Sequence, residues 1–295
     1  MPQSPISEAL AKLQNPNQKG LSGKPLDALE ALFSLSRTYS VGFRQFFGEL
    51  ITSSYWQSQN YAANPYPQLC LELASLIDSY YSNLGYSEPA YHSRKHFQEV
   101  CLALTVLLSQ PLASTQKSEF DDPWAISRED AWVLLFCVVA HDFGHDGSTN
   151  EVPFELEKSS IEKTCTFLSQ NSSAPDLIKK LETKVESIIL ATDPSFLSTL
   201  LAKFTGPTAN PTRIDCMSML MVEADLLASV LPMHGKILGK LLGQEWESSN
   251  PKAAASVASD RGRLKFLEYV RFISPHAIML KMEDIRNQSI EELKD

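Results

Sequence analysis

Apolar residues recur three and four positions apart along most of the chain, which is the spacing of an amphipathic helix. Leu26–Leu35 shows it, and Pro67–Leu84 repeats it through Leu69, Leu71, Leu73, Leu76, Ile77 and Tyr80. A further helix is predicted over about Ser93–Ser109, with Phe97, Val100, Leu104 and Leu107 on one face. Ala131–Ala140 is apolar on every side and follows Ser127-Arg-Glu-Asp130, a helix-opening pattern, so it predicts a central buried helix. Helices are also predicted over residues 155–170, 175–192, 212–231, 234–246 and 262–281. Asn210-Pro211 is read as an N-cap with its first helical residue, and Pro232 as a stop. Residues 113–123 and 248–259 read as loops. No alternating strand pattern and no internal repeat occurs. The expectation is an all-α protein: a loose tail over residues 1–25, with at most a short helix near Glu8–Gln14, and one helical domain over 26–295.

Composition narrows the function. The chain has 295 residues, 43% hydrophobic and 21% charged, enough to bury a large core. Its 35 acidic and 26 basic side chains leave a net charge of −9, which disfavours nucleic-acid polymers and anionic lipid as partners. The longest apolar run, Ala131–Ala140, is too short for a membrane span, and the N-terminus lacks a secretory pattern. Cys70, Cys101, Cys137, Cys165 and Cys216 are scattered and odd in number. This predicts free thiols, a reducing compartment and a cytoplasmic protein.

Four of the six histidines fall in two short segments, Tyr91-His92-Ser93-Arg94-Lys95-His96 and His141-Asp142-Phe143-Gly144-His145-Asp146. Asp142 follows a buried helix at the negative end of its dipole, where an uncompensated carboxylate is costly. Asp225 poses the same problem inside the apolar stretch Met217–Val230. A divalent cation resolves both. His92 and His96 share one helical face and can ligate a metal or move a proton. Such a mixed N/O set suits tightly held Zn, Fe or Mn, with a carboxylate shared with a more hydrated Mg or Mn. The competing readings are a loop cap for Asp142, a buried arginine partner for Asp225 and a solvated face for Arg94 and Lys95. The remaining histidines, His234 and His276, read as structural.

These segments resemble the HD metal-dependent phosphohydrolase superfamily, and within it the class I cyclic nucleotide phosphodiesterases. The resemblance spans about residues 66–280. It continues through Ser159-Ser160-Ile161-Glu162, Ile189-Leu190-Ala191-Thr192-Asp193, Ala224-Asp225-Leu226 and Phe266-Leu267-Glu268-Tyr269-Val270. It implies that His96, His141, Asp142 and Asp225 hold the tighter of two divalent metals, with Asp142 bridging to the second. It implies that a metal-bridging hydroxide is the nucleophile and that His92 is the general acid. His145 and Glu162 would orient metal-bound water, and Thr192 and Asp193 would support the second ion's hydration. Tyr91, Arg263 and Phe266 would touch a small phosphate ester, a cyclic nucleotide or a related phosphodiester. Two alternatives are an HD-type phosphomonoesterase and a non-catalytic module that binds metal and phosphate. The family's purine-reading Gln is replaced by Arg263, an expected Asn by Ala228, and a paired His by Thr164-Cys165. The stretch from Asp225 to Phe266 is short. Arg263 is therefore expected to meet a phosphate or carboxylate, since a guanidinium cannot accept a hydrogen bond.

Overall fold

The computed structural model describes residues 4–14, 25–85, 87–111, 122–171, 175–207 and 209–294, and among them all regular structure is helical. The chain starts with α1 (Pro5–Gln14) and α2 (Pro25–Thr38), followed by α3 (Phe43–Leu50) and α4 (Ser54–Ser58). The central helices are α5 (Tyr66–Ser82), α6 (Arg94–Leu108) and α7 (Arg128–Ala140). Next come α8 (Glu155–Asn171), α9 (Pro175–Leu190), α10 (Leu197–Ala202) and α11 (Arg213–Leu227). The last are α12 (His234–Trp246), α13 (Pro251–Val257), α14 (Asp260–Tyr269), α15 (Pro275–Met279) and α16 (Met282–Glu291).

The buried helix expected at 131–140 lies at the centre as α7, where every residue from Asp130 to Ala140 is buried. The Ser127 hydroxyl accepts the Asp130 N–H, which gives the helix its start. Helices α5, α6, α9 and α11 pack around α7. Each large aliphatic or aromatic side chain enclosed here contributes about 1.5–3 kcal/mol, so this layer is the stable platform for whatever projects from its ends.

Several boundaries differ from expectation. The tail read over residues 1–25 lies partly outside the described residues, at 1–3 and 15–24, but α1 docks on the core through fully buried Ile6 and Leu10. The loop expected over 113–123 also lies mostly outside the described residues. Helices α3 and α4 were not read from the sequence, because each is short and supplies only a few large aromatic anchors such as Phe46 and Trp56. Asn210 is not an N-cap; Thr212 opens α11 through a reciprocal capping box with Asp215. That helix stops at Leu227 and tightens into a 3₁₀ turn over Ala228–Val230. The single helix expected over 262–281 is broken between α14 and α15, because Pro275 cannot continue a helix and forces Ser274 into an extended conformation. The buried Glu223 carboxylate accepts the N–H groups of Ile273 and Ser274 in that break. Within the presumed loop 248–259, Asn250 caps and Pro251 starts α13. No single helix among the described residues is long and apolar enough to cross a membrane.

Candidate active site

Three core helices deliver the charged residues to one end of the platform. His96 lies in the first turn of α6, His141 and Asp142 directly follow α7, and Asp225 lies in the last turn of α11. Residues 40 to 130 positions apart therefore converge because their helices pack side by side. His96 Nε2 stands 3.1 Å from Asp225 Oδ1 and 3.3 Å from Asp142 Oδ2. His141 Nε2 is 3.1 Å from Asp142 Oδ2, 3.7 Å from Asp225 Oδ1 and 3.3 Å from His96 Nε2. Donor atoms sharing one ion at about 2.1 Å stand roughly 3.0–3.4 Å apart; His96, His141 and Asp225 converge as a candidate three-ligand set, with Asp142 Oδ2 against both imidazoles. The His141 Nδ1–H donates to the Val138 carbonyl at 2.8 Å, which turns its Nε2 lone pair toward the other three.

Electrostatics supports the same reading. Burial opposes charge on His96, yet the Asp142 and Asp225 carboxylates raise its pKa to about 10. His141 is raised for the same reason against the same burial. Burial pushes Asp142 upward, but His141 and His96 hold it well below the ordinary carboxylate range. The cluster thus demands positive charge, which protons or a metal can supply.

His92 and His145 line the same cavity of about 440 Å³, with the His92 ring centroid 5.8 Å from that of His96. The His92 and His145 rings stack, with centroids 3.6 Å apart. The Gly147 N–H donates to His145 Nδ1 at 3.0 Å, which leaves the ring proton on Nε2. Burial, and then His92, lowers the His145 pKa to about 4, so His145 is neutral at physiological pH. His92 Nδ1 is hydrogen-bonded to Glu245 of α12, whose Oε2 also accepts the N–H groups of Tyr91 and His92 at 2.7 and 2.9 Å. Burial raises Glu245, but its hydrogen bond and ion pair with His92 bring it below its usual value. Gly147 adopts a positive φ, and a Cβ there would press on the Glu245 side chain at 3.0 Å. The turn after His145 is thus shaped to admit that carboxylate.

Other predicted residues are distributed differently. Glu162 is exposed on α8 and does not line the cavity. Glu157 does, because five residues along a helix rotate a side chain by about 140°. Burial raises Glu157, partly offset by a 3.0 Å hydrogen bond from Asn150. Thr192 and Asp193 reach the cavity, but the Thr192 hydroxyl donates to the Ile189 carbonyl. Asp193 accepts from Asn150 and from the Phe154 and Ser195 N–H groups, so it organises the loop. Tyr91 packs on His96 with ring centroids 4.8 Å apart, and Phe266 lines the wall.

Arg263 is buried at the cavity wall, where its Nη1 and Nη2 donate to the carbonyls of Ser229 and Leu231 at 3.1 and 2.7 Å. Its Nε has no partner among the described residues, and burial lowers its pKa. Arg94 is paired with Glu88 and Asp78, and Lys95 donates to the carbonyls that end α2, so neither serves as a phosphate group's partner here. Sequence reasoning missed Glu245, Glu157 and Asn150. Glu245 lies about 150 residues from its partner His92, and no local spacing announces that contact.

No family model matches the chain, and no curated protein matches it. Solved structures do. The phosphodiesterase domain of the RhoPDE fusion protein from the choanoflagellate Salpingoeca rosetta superposes with a TM-score of 0.59 at 17% identity, covering 98% of this chain and 97% of that one. LmjPDEB1 in complex with IBMX superposes with a TM-score of 0.58 at 15% identity, covering 99% and 97%. The chain therefore has the all-helical fold of the phosphodiesterase catalytic domains, as the sequence resemblance to the HD superfamily implied.

Proposed function

We propose that the protein is a metal-dependent phosphohydrolase that cleaves a small phosphodiester of the cyclic nucleotide type. The observation that carries this reading is the convergence of His96, His141, Asp142 and Asp225 beside a carboxylate-supported imidazole in one cavity. These four residues would hold the tighter ion (Zn, Fe or Mn), with Asp142 shared with a second (Mg or Mn). Bound there, divalent ions supply a nucleophilic water at neutral pH and neutralise the phosphoryl oxygens.

The chain's own groups perform the rest. Water oxygen adds to phosphorus as the bond from phosphorus to the leaving oxygen breaks. The attacking water would enter as hydroxide, its proton already released to solvent, and His92 Nε2–H donates a proton to the leaving oxygen, so that hydroxide and proton together make up the one water consumed. Glu245 fixes the His92 tautomer and stabilises the ring while it carries that proton. Neutral His145, stacked beneath it, adds no competing charge. Glu157 and Asn150, which line the cavity, would orient water there in place of the exposed Glu162.

Arg263 bears on the substrate. It offers only donors, and no acid lies within ion-pair distance of it among the described residues. A base edge made of acceptors, such as O6 and N7 of a 6-oxopurine, complements it, whereas a 6-amino group places donor against donor. The reading is tested with bis(p-nitrophenyl) phosphate. Hydrolysis is expected with added Mn²⁺ or Mg²⁺ and is lost in EDTA. A folded, metal-loaded protein inert toward every phosphate ester would support the non-catalytic alternative instead.

A further inference from the structure

Helix α12 forms a wall of the cavity through Gly235, Leu238, Gly239 and Leu242. It packs on α13, on the 228–230 turn and on α2, but shares no extended face with α6, because the cavity separates them. Two polar contacts bridge that gap, one at each end of α12. At its C-terminal end Glu245 holds His92, just before α6. At its N-terminal end the polarity is reversed: His234 Nε2–H donates to Glu99 of α6 at 2.9 Å. Both residues of this second pair are almost wholly buried, at 2% and 1% exposure. The Glu99 carboxylate is gripped from α2 by Arg37, with Nε to Oε1 at 2.7 Å and Nη2 to Oε2 at 2.9 Å. Also from α2, Glu30 accepts the N–H groups of Met233 and His234 at 2.8 and 3.0 Å, which anchors the start of α12.

We infer that His234 and Glu99, backed by Arg37, are positioning residues for the proton donor. The proposal rests on the reading of His92 as the general acid. The twelve-residue lever from His234 to Glu245 spans about 16 Å. Releasing its near end lets the far carboxylate drift from His92, and displacements of about 1 Å cost reaction steps on the order of a hundredfold. Without His234, Arg37 would be the remaining side-chain partner of the buried Glu99 carboxylate among the described residues. The N-terminal helix α2 is thereby part of the catalytic apparatus.

The test compares leaving groups in the metal-loaded protein. Departure of p-nitrophenolate needs little protonation, whereas departure of the 3′-alkoxide of a cyclic nucleotide needs a full proton. For His234→Ala, kcat on cyclic IMP is expected to fall about thirtyfold, and on bis(p-nitrophenyl) phosphate by less than about threefold, with KM and metal content retained. His234→Gln keeps an N–H donor and is expected to recover most of the loss. Should His234→Ala not fold, Arg37→Ala against Arg37→Lys reads the same ratio, with the leaving-group-dependent loss expected only in the alanine variant. Equal losses on both substrates, or none, would overturn the proposal while leaving the hydrolase reading intact. A wild-type protein inactive on both would refute the hydrolase reading, and the proposal with it.

Discussion

Two regions of the cavity carry opposite imbalances. At the ligand end, the Asp142 and Asp225 carboxylates each lie within 4 Å of both imidazoles, and they drive His96 to a pKa of about 10. Elsewhere on the wall Arg263 is a buried cation whose hydrogen bonds go to backbone carbonyls, with Nε without a partner among the described residues and Glu30, Asp260 and Glu292 acting on it at longer range. Isolated buried charge is costly in either sign. The first region calls for a cation and the second for an acceptor, and a metal-bound phosphate ester with an oxo-bearing base would satisfy both. Each Arg263 Nη donates to one backbone carbonyl, so the contact expected of it with a substrate phosphate or carboxylate would have to use their second N–H bonds.

The ligand end is where substitutions should have the largest consequence. Glu157→Gln is expected to lower kcat on a phosphodiester by about tenfold to a hundredfold, as losses of groups supporting a metal site do, whereas Glu162→Gln stays within about twofold. Steady-state rates of the two variants at saturating metal decide this. A reversed order would restore Glu162 to the site and indicate a different register for α8.

That pair also shows where the sequence is legible and where it is not. His96, His141, Asp142 and Asp225 could be found because each violates its surroundings: a carboxylate after an all-apolar helix, another inside one, and histidines clustered out of proportion. The violation is local and therefore readable. Glu157 and Glu162 both lie on an ordinary polar helix, and motif spacing favoured the one that the helical register turns to solvent. Glu245 is one acid among 35 acidic residues, and only the tertiary approach of α12 to His92 distinguishes it. The all-helical architecture followed from periodicity, but breaks such as Val270–Ser274 depend on a distant partner, Glu223, that takes up the freed N–H groups.

At the wall, Arg263→Gln is expected to change selectivity more than rate. Wild type should prefer cyclic IMP over cyclic AMP by about tenfold in kcat/KM, the two bases differing in the 6-substituent and the adjoining N1, and the glutamine variant should lose that preference because an amide can both donate and accept. Competition assays with the two nucleotides measure it. An unchanged ratio would remove Arg263 from substrate recognition.

A smaller effect comes from a histidine outside both regions. His276 is buried like His96, but its Nδ1–H meets only the Leu107 carbonyl and its Nε2 has no partner among the described residues. Burial therefore lowers it from 6.5 to about 4. Between those values the unfolded chain binds more protons than the folded one, so stability falls on acidification by at most about 1.4 kcal/mol per pH unit from this group. Urea melts of the metal-loaded protein should show His276→Leu to be less acid-sensitive than wild type between pH 6.5 and 4. Parallel curves would show that burial of His276 is not what depresses it.

The central claim is that four side chains from three helices share one cation. Elemental analysis after exhaustive dialysis of Mn²⁺- or Zn²⁺-loaded protein tests it most directly. About one tightly held divalent ion per chain is expected in wild type, with almost none in Asp225→Ala and full retention in His92→Ala. A wild-type protein that retains no ion, or an Asp225→Ala variant that retains as much as wild type, would contradict the account.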